Sequence, residues 1–326
     1  MTARLKPASW VYLVAFACGA GGLILFGDGY AWRIAALVGV YATASIGFQL
    51  IFGRLGLLML AQGALFGLGA YATAMISAHL GLDPWLGVLG ALLVGSVVAL
   101  AIAGPVARLE SHYVALATLA LAQLALLAAT HGGAWTGGSN GLYGVPPLSF
   151  GAFEIVEGPA LALLSWCGVL LSLLAADAVT GGSALARHAT IREVPLVAAS
   201  LGIDAARARL ILFPVAGGMA ALAGALQAHG LGVVSPAVLR FDVMITLLAI
   251  AVVGGRGSAL GAVAAACLLV PLPEVFRGLE SYYLVAYGVV LLGVMVALPG
   301  GIDGLIRSVL PDRSDTLPDP LPLQFG

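Results

Sequence analysis

Ala186-Arg187-His188-Ala189-Thr190-Ile191-Arg192-Glu193-Val194-Pro195, continuing through Leu196-Val197-Ala198-Ala199-Ser200-Leu201-Gly202-Ile203-Asp204 to Ala205-Ala206-Arg207-Ala208-Arg209, is the one long polar interruption in an otherwise apolar sequence. It gathers Arg187, Arg192, Arg207 and Arg209 between the apolar runs 159–179 and 210–229. A charge at the centre of a bilayer costs about 2.5–3.5 kcal/mol even on lenient scales. The stretch therefore lies outside the hydrocarbon, and its arginines place it on the cytoplasmic side. From Arg192 to Gly202 it can form a short helix, with Pro195 in the first turn and Ala198, Ala199 and Gly202 small enough for close contact with another protein. The plainer reading of the same residues is a cytoplasmic loop carrying a surface helix.

Working outward, the flanking runs set the class. Of 326 residues 61% are hydrophobic and 9% charged, with mean hydropathy +1.07, whereas soluble domains are charged at about a quarter of their positions. The chain reads as an all-α polytopic integral membrane protein. Its 45 glycines suit helices that must pack closely in lipid. A net charge of −1 and the lack of a basic stripe give no sign of nucleic-acid binding. Cys18, Cys167 and Cys267 sit singly in apolar runs, without metal-ligand or pairing spacing.

Segments long enough to span, at about 20 residues each, fall near 10–26, 31–52, 62–80, 84–107, 112–131, 159–179 and 210–229, with shorter ones near 241–254, 258–273 and 281–299. About ten helices result if each one spans; 241–254 and 258–273 are short enough to be a broken pair. The run 10–26 is too long for a signal-peptide core and reads as the first helix. A cytoplasmic N-terminus then puts most arginines inside, leaving Arg33, Arg240 and Arg277 outside. The organisation expected is a tail at 1–9, a transmembrane domain at 10–310 with its polar loop at 181–209, and a Pro- and Asp-rich cytoplasmic tail at 311–326. The external loop 131–158 contains Thr136-Gly137-Gly138-Ser139-Asn140-Gly141, which predicts tight turns with positive φ, and a short strand near 150–156. The glycine-rich stretches 53–56 and 254–257 predict breaks in the helical pattern, tolerated at depth only where buried in protein or lining a cavity; close helix packing explains the same glycines.

Several stretches together resemble a known family. They are Gly63-Ala64-Leu65-Phe66-Gly67-Leu68-Gly69-Ala70-Tyr71, His112-Tyr113-Val114-Ala115-Leu116-Ala117-Thr118-Leu119-Ala120, Thr136 to Leu142, Ile191-Arg192-Glu193, Ala198 to Ile203, Ala223 to Leu226, Val234-Ser235-Pro236 and Gly254 to Gly261. In this order they are similar to the permease subunits of ABC importers for branched-chain amino acids, of the LivM rather than the LivH type. Leu58-Met59-Leu60-Ala61-Gln62 and Arg256 depart from the usual pattern. The resemblance implies a type II-like importer permease in the bacterial inner membrane, multi-pass, moving branched-chain amino acids or a related small solute. It implies as partners a homologous LivH-type permease, two cytoplasmic ATP-binding subunits that carry the ATP and Mg, and a periplasmic substrate-binding protein. The chain itself would bind no cofactor or metal and would not be an enzyme. The loop 181–209 would be the segment that couples to the ATPases, through Arg192, Glu193, Pro195, Ala198, Ala199 and Gly202.

The residues bear on this separately. A phosphate-binding Walker loop needs a lysine, and the single lysine is Lys6. The five histidines lie near helix ends or loops and form no nucleophile, base and orienter set. The uncharged polar residues Gln49, Gln62, Thr73, Thr118 and Gln123 lie within or beside the apolar runs; of these Gln62, Thr118 and Gln123 are the candidates for lining a substrate path, beside the ordinary role of interhelical hydrogen bonding. The alternative function is a self-sufficient secondary transporter or channel whose solute site lies at the two glycine breaks.

Overall fold

The computed structural model describes residues 29–106, 109, 111–151, 153–155 and 158–275, and beyond them 288, 289, 292, 293, 296 and 300–304. The expected first helix at 10–26, the N-terminal tail and the tail at 311–326 lie outside these residues, as does most of 281–299. The helices are α1 (Gly29–Leu55), α2 (Gln62–Ala74), α3 (Pro84–Val106), α4 (Ser111–His131), α5 (Pro159–Thr180), α6 (Ser183–Glu193), α7 (Pro195–Ser200), α8 (Ala205–Leu231), α9 (Phe241–Gly254), α10 (Ala259–Leu269) and α11 (Leu272–Val275).

Five of these, α1, α3, α4, α5 and α8, are long and apolar enough to cross a membrane, or six spans if the bent pair α9 and α10–α11 is one of them. A multi-pass all-α membrane protein follows. The count of ten is not reached among the described residues. Part of the difference lies in the pair at 241–274, whose halves are bent by 120° at the break after Gly254. Fourteen residues of α9 rise about 21 Å, short of a hydrocarbon core of about 30 Å. Another part lies at 62–80, where α2 ends at Ala74 and a π-helical turn, Met75–His79, completes the segment.

Burial separates inside from outside. In α1 83% of the most apolar window is buried and in α8 67%, against 28% in α4. Helices α2 and α3 pack on α8; α5, α8 and the pair α9 and α10 pack on α1. No hydrophobic force drives helices together in lipid, so backbone proximity supplies the dispersion contacts. The seam of α8 is accordingly Ala216, Gly217, Ala220, Ala221, Gly224, Ala225 and Ala228, all buried. A Cβ on Gly224 would collide with the backbone carbonyl of Phe66, and one on Gly69 with the backbone of Ala221. The apolar side chains left exposed on α3, α4 and α5, such as Leu93, Leu124 and Leu171, suit a lipid or protein neighbour.

The end of the bundle away from α6 and α7 is covered by the loop after α4. Gly137, Gly138 and Gly141 have the positive φ expected of its turns. The expected strand near 150–156 is observed as β3 (Phe153–Ile155), paired with β2 (Leu148–Phe150); β1 (Leu142–Tyr143) pairs with β4 (Val233–Val234) just beyond α8. His229 ties this cover to the bundle. Its Nδ1 lies 2.7 Å from the Pro146 carbonyl and its Nε2 2.8 Å from Thr73 Oγ1. A carbonyl only accepts, so Nδ1 carries the proton and Thr73 donates to Nε2. Trp85 Nε1 donates to Ser149 O at 2.8 Å beside it.

Candidate functional site

At the opposite end, the polar stretch that interrupts the sequence folds as two short helices at an angle. Gly181 and Gly182 end α5, and α6 follows. Val194 leaves helical geometry at φ −139° and ψ 76° before Pro195, which opens α7, as the restriction on residues preceding proline requires. The end of α7 is a complete C-terminal cap. Gly202 sits at φ +71°, its N–H donates to Ala199 O at 3.1 Å, and Ile203 N–H donates to Ala198 O at 2.9 Å, the two bonds of a Schellman motif. Asp204 then caps α8, its Oδ1 accepting from the N–H groups of Ala206 and Arg207.

This segment is held to the bundle by two arginines whose side chains turn inward. Arg192 Nη1 donates to the Gly53 carbonyl at 2.7 Å, capping the end of α1 where carbonyls lack helical partners. Its Nη2 pairs with Glu193 at 3.1 Å. Arg209 Nη1 donates to Val106 O and Leu109 O, both at 3.0 Å, and caps α3 in the same way. On the inner face of α6, His188 and Ile191 are buried. Burial, and then the charges of Arg54 and Arg187, hold the His188 imidazole below its ordinary pKa, so it sits neutral.

The outward surface of α7 is apolar. Leu196 is 85% exposed and Leu201 67%, with Val194 and Val197 beside them. Of the residues singled out in the sequence, Glu193, Pro195, Ala199 and Gly202 are exposed here, Arg192 is half-buried against α1, and Ala198 is buried against its own chain. The projecting side chains are Leu196, Val197 and Leu201, which a search for small residues passes over. Their signal in the sequence is a cluster of large aliphatics inside the most polar stretch.

The glycine break 254–257 lies against the same end of α1. Gln49 Nε2 donates to Ala251 O at 2.7 Å and to Gly255 O at 2.9 Å, while its Oε1 accepts from Gly257 N at 3.0 Å. One buried amide thus satisfies both sides of the break. A Cβ on Gly53 would collide with the Gly257 backbone. Gly255 and Gly257 take φ +93° and +81° and are buried, whereas Arg256 between them is exposed. A cavity of about 160 Å³ adjoins the break, lined among others by Gln49, Arg54, Asp177, Ser258 and Asp303.

The three path candidates separate. Gln62 is fully buried and its Nε2 donates to Ala216 O at 2.9 Å; its Oε1 has no hydrogen-bond partner among the described residues. Thr118, also buried, accepts from Leu60 N at 2.9 Å and donates to Val114 O at 2.7 Å. These two meet where the chain enters α2. Gln123 lies on the exposed face of α4 with Leu116, Leu124 and Leu127. Among the described residues no group of His, Cys, Asp and Glu is placed to hold a metal, and Cys167 and Cys267 are free.

Comparison with known proteins gives a consistent result. A family model described as branched-chain amino acid transport system, permease component, matches residues 30–299. The high-affinity branched-chain amino acid transport system permease protein LivM of Salmonella typhimurium is 28% identical over 304 residues, covering 86% of this chain and 72% of the relative. LivM of Escherichia coli is 28% identical over 300 residues, covering 85% and 71%. LivH of Salmonella typhimurium, the permease protein of the same title, is 27% identical over 287 residues, covering 81% and 91%. No solved structure matches.

Proposed function

Because the chain belongs to the family of permease components of branched-chain amino acid transport systems, we propose that it is one of two membrane subunits of an ATP-driven importer. It carries branched-chain amino acids or a related small solute inward across the bacterial inner membrane, with its N-terminus and the segment α6–α7 on the cytoplasmic side. Its partners are a homologous LivH-type permease, two ATP-binding subunits that hold the ATP and Mg, and a substrate-binding protein at the covered end.

The observation that carries this reading is the apolar ridge of Leu196, Val197 and Leu201 on α7. Large aliphatic side chains clustered outside the membrane, in a chain segment rich in arginine, mark a surface for another protein. Arg192 and Arg209 fix that ridge to the ends of α1 and α3. A partner that closes on ATP and pushes α7 therefore moves α1 and α3, and with them the access of the solute path to either side. The path itself is weakly polar, with Gln62 and Thr118 near its middle. The face of α4 that carries Gln123 turns to the second permease, because an uncapped amide in lipid is costly and one at a shared cavity is not.

The alternative, a self-sufficient carrier with its solute site at the glycine breaks, has the cavity beside Gln49 in its favour. At about 160 Å³ that cavity is below the roughly 300 Å³ at which solute pockets begin, and the break itself is filled by the Gln49 amide.

Affinity purification of the tagged chain from its own host in mild detergent tests the proposal. Two ATP-binding subunits and a second permease should co-purify and hydrolyse ATP. A lone chain or homo-oligomer that takes up solute without ATP in proteoliposomes would overturn it.

A further inference from the structure

Two features of the cytoplasmic-side end belong together and are not explained by docking alone. Arg192 directs Nη1 inward, onto the Gly53 carbonyl at 2.7 Å, while Nη2 pairs with the exposed Glu193. Gly53 is in turn pressed against Gly257, so closely that no side chain fits between them, and Gln49, one helical turn earlier on α1, bridges Ala251, Gly255 and Gly257 with its amide. The last turn of α1 is therefore clamped on one side by α6 and on the other by the turn between α9 and α10.

We propose that Arg192 is the positioning residue that transmits displacement of α6–α7 to the α9–α10 turn, with Gly53 as the point of transfer and Gln49 as the grip on the turn. The inference rests on the importer reading. A charged donor on a helix-terminal carbonyl, with the second guanidinium nitrogen held by Glu193, keeps α6 at a fixed separation from Gly53. Gly56 keeps this route short: a Cβ there would lie 2.9 Å from Arg192 Cγ, so the arginine stem lies directly on the α1 backbone. On the far side, the turn has no slack to absorb a shift of Gly53, since Gly255 and Gly257 are buried at positive φ and both are bonded to Gln49. Movement of α7 must therefore tilt the α9–α10 pair rather than dissipate at the surface. The exposed Arg256 at the tip of that turn moves with it.

The test uses the whole transporter, purified with its ATP-binding subunits and second permease and reconstituted in proteoliposomes with its binding protein. Solute imported per ATP hydrolysed is the readout, with subunit recovery measured in parallel. Arg192→Ala should retain the ATP-binding subunits, because Leu196, Val197 and Leu201 are untouched. Its import per ATP should fall on the order of tenfold, the size of one lost charged hydrogen bond. Arg192→Lys, which keeps a cationic donor near Gly53, should recover most of it. Gly53→Ala, which displaces the turn without altering α6 or α7, should reproduce the loss. An unchanged ratio in Arg192→Ala and Gly53→Ala would overturn the proposal, as would loss of import only in proportion to lost assembly without recovery by lysine. Failure of the wild-type chain to bring down any ATP-binding subunit is a different result and would overturn the importer reading itself.

Discussion

Gln49 shows what a single buried side chain is required to do in this chain. Its amide supplies two donors to the carbonyls of Ala251 and Gly255 and one acceptor to Gly257. Gln49→Leu keeps the bulk but orphans three backbone groups, at about 1–3 kcal/mol each before relaxation. The unfolding midpoint in detergent should fall clearly. Gln49→Glu should fall at least as far, since it sets carboxylate oxygens against two carbonyls; equal stability of Glu and Gln would show that the donors carry no weight. Gln49 was legible in the sequence as a polar residue within an apolar run, as were Gln62 and Thr118. Its partner was not, because the contact joins residues 49 and 255 and depends on how α1 meets a break two hundred positions away.

Among the elements, the pair α6 and α7 responds to changes that leave the bundle alone. Gly202 closes α7 in the left-handed region with open space around its Cα, so a substitution there meets backbone strain rather than a clash. Gly202→Val should cost about 1–3 kcal/mol locally and weaken import by the assembled transporter, whereas Gly202→Asn, which tolerates that conformation, should stay near wild type. Import lost equally in both would point to a need for smallness at the partner surface instead. The neutral His188 on the buried face of α6 gives the segment a pH dependence. Its folded pKa is lowered, so the unfolded segment binds the extra proton. Stability is full above the unfolded value of about 6.5 and is lost as pH falls from there through the folded pKa. Recovery of ATP-binding subunits on the purified chain should decline over that acidic range, and His188→Asn should flatten the decline; a wild-type profile flat from neutral pH downward would contradict it. Polarity alone marks this segment as lying outside the membrane. It does not say which side of α7 faces outward: Ala198 turns in, while Ala199 and Gly202 turn out together with Leu196, Val197 and Leu201.

At the scale of the whole molecule the bundle is built on backbone contact around α1 and α8, with bulkier helices left at the periphery. Gly224→Ala sets a methyl against the Phe66 carbonyl and should destabilise by about 1–3 kcal/mol through overpacking. Gly104→Ala on α3, where a Cβ meets nothing within 4 Å among the described residues, should be neutral or slightly stabilising. Thermal unfolding of the two variants side by side checks this, and equal losses would remove the α2–α8 seam as the tight contact. The sequence by itself determined that this is an all-α membrane protein, where its polar segment lies, and which family it resembles, because hydropathy and local motifs are properties of short stretches. Only the tertiary structure decided that 241–274 is bent by 120° at a break, and that the break, the end of α1 and Arg192 form one unit. Those depend on glycine approaches and buried hydrogen bonds between residues far apart in the chain, which local periodicity does not encode.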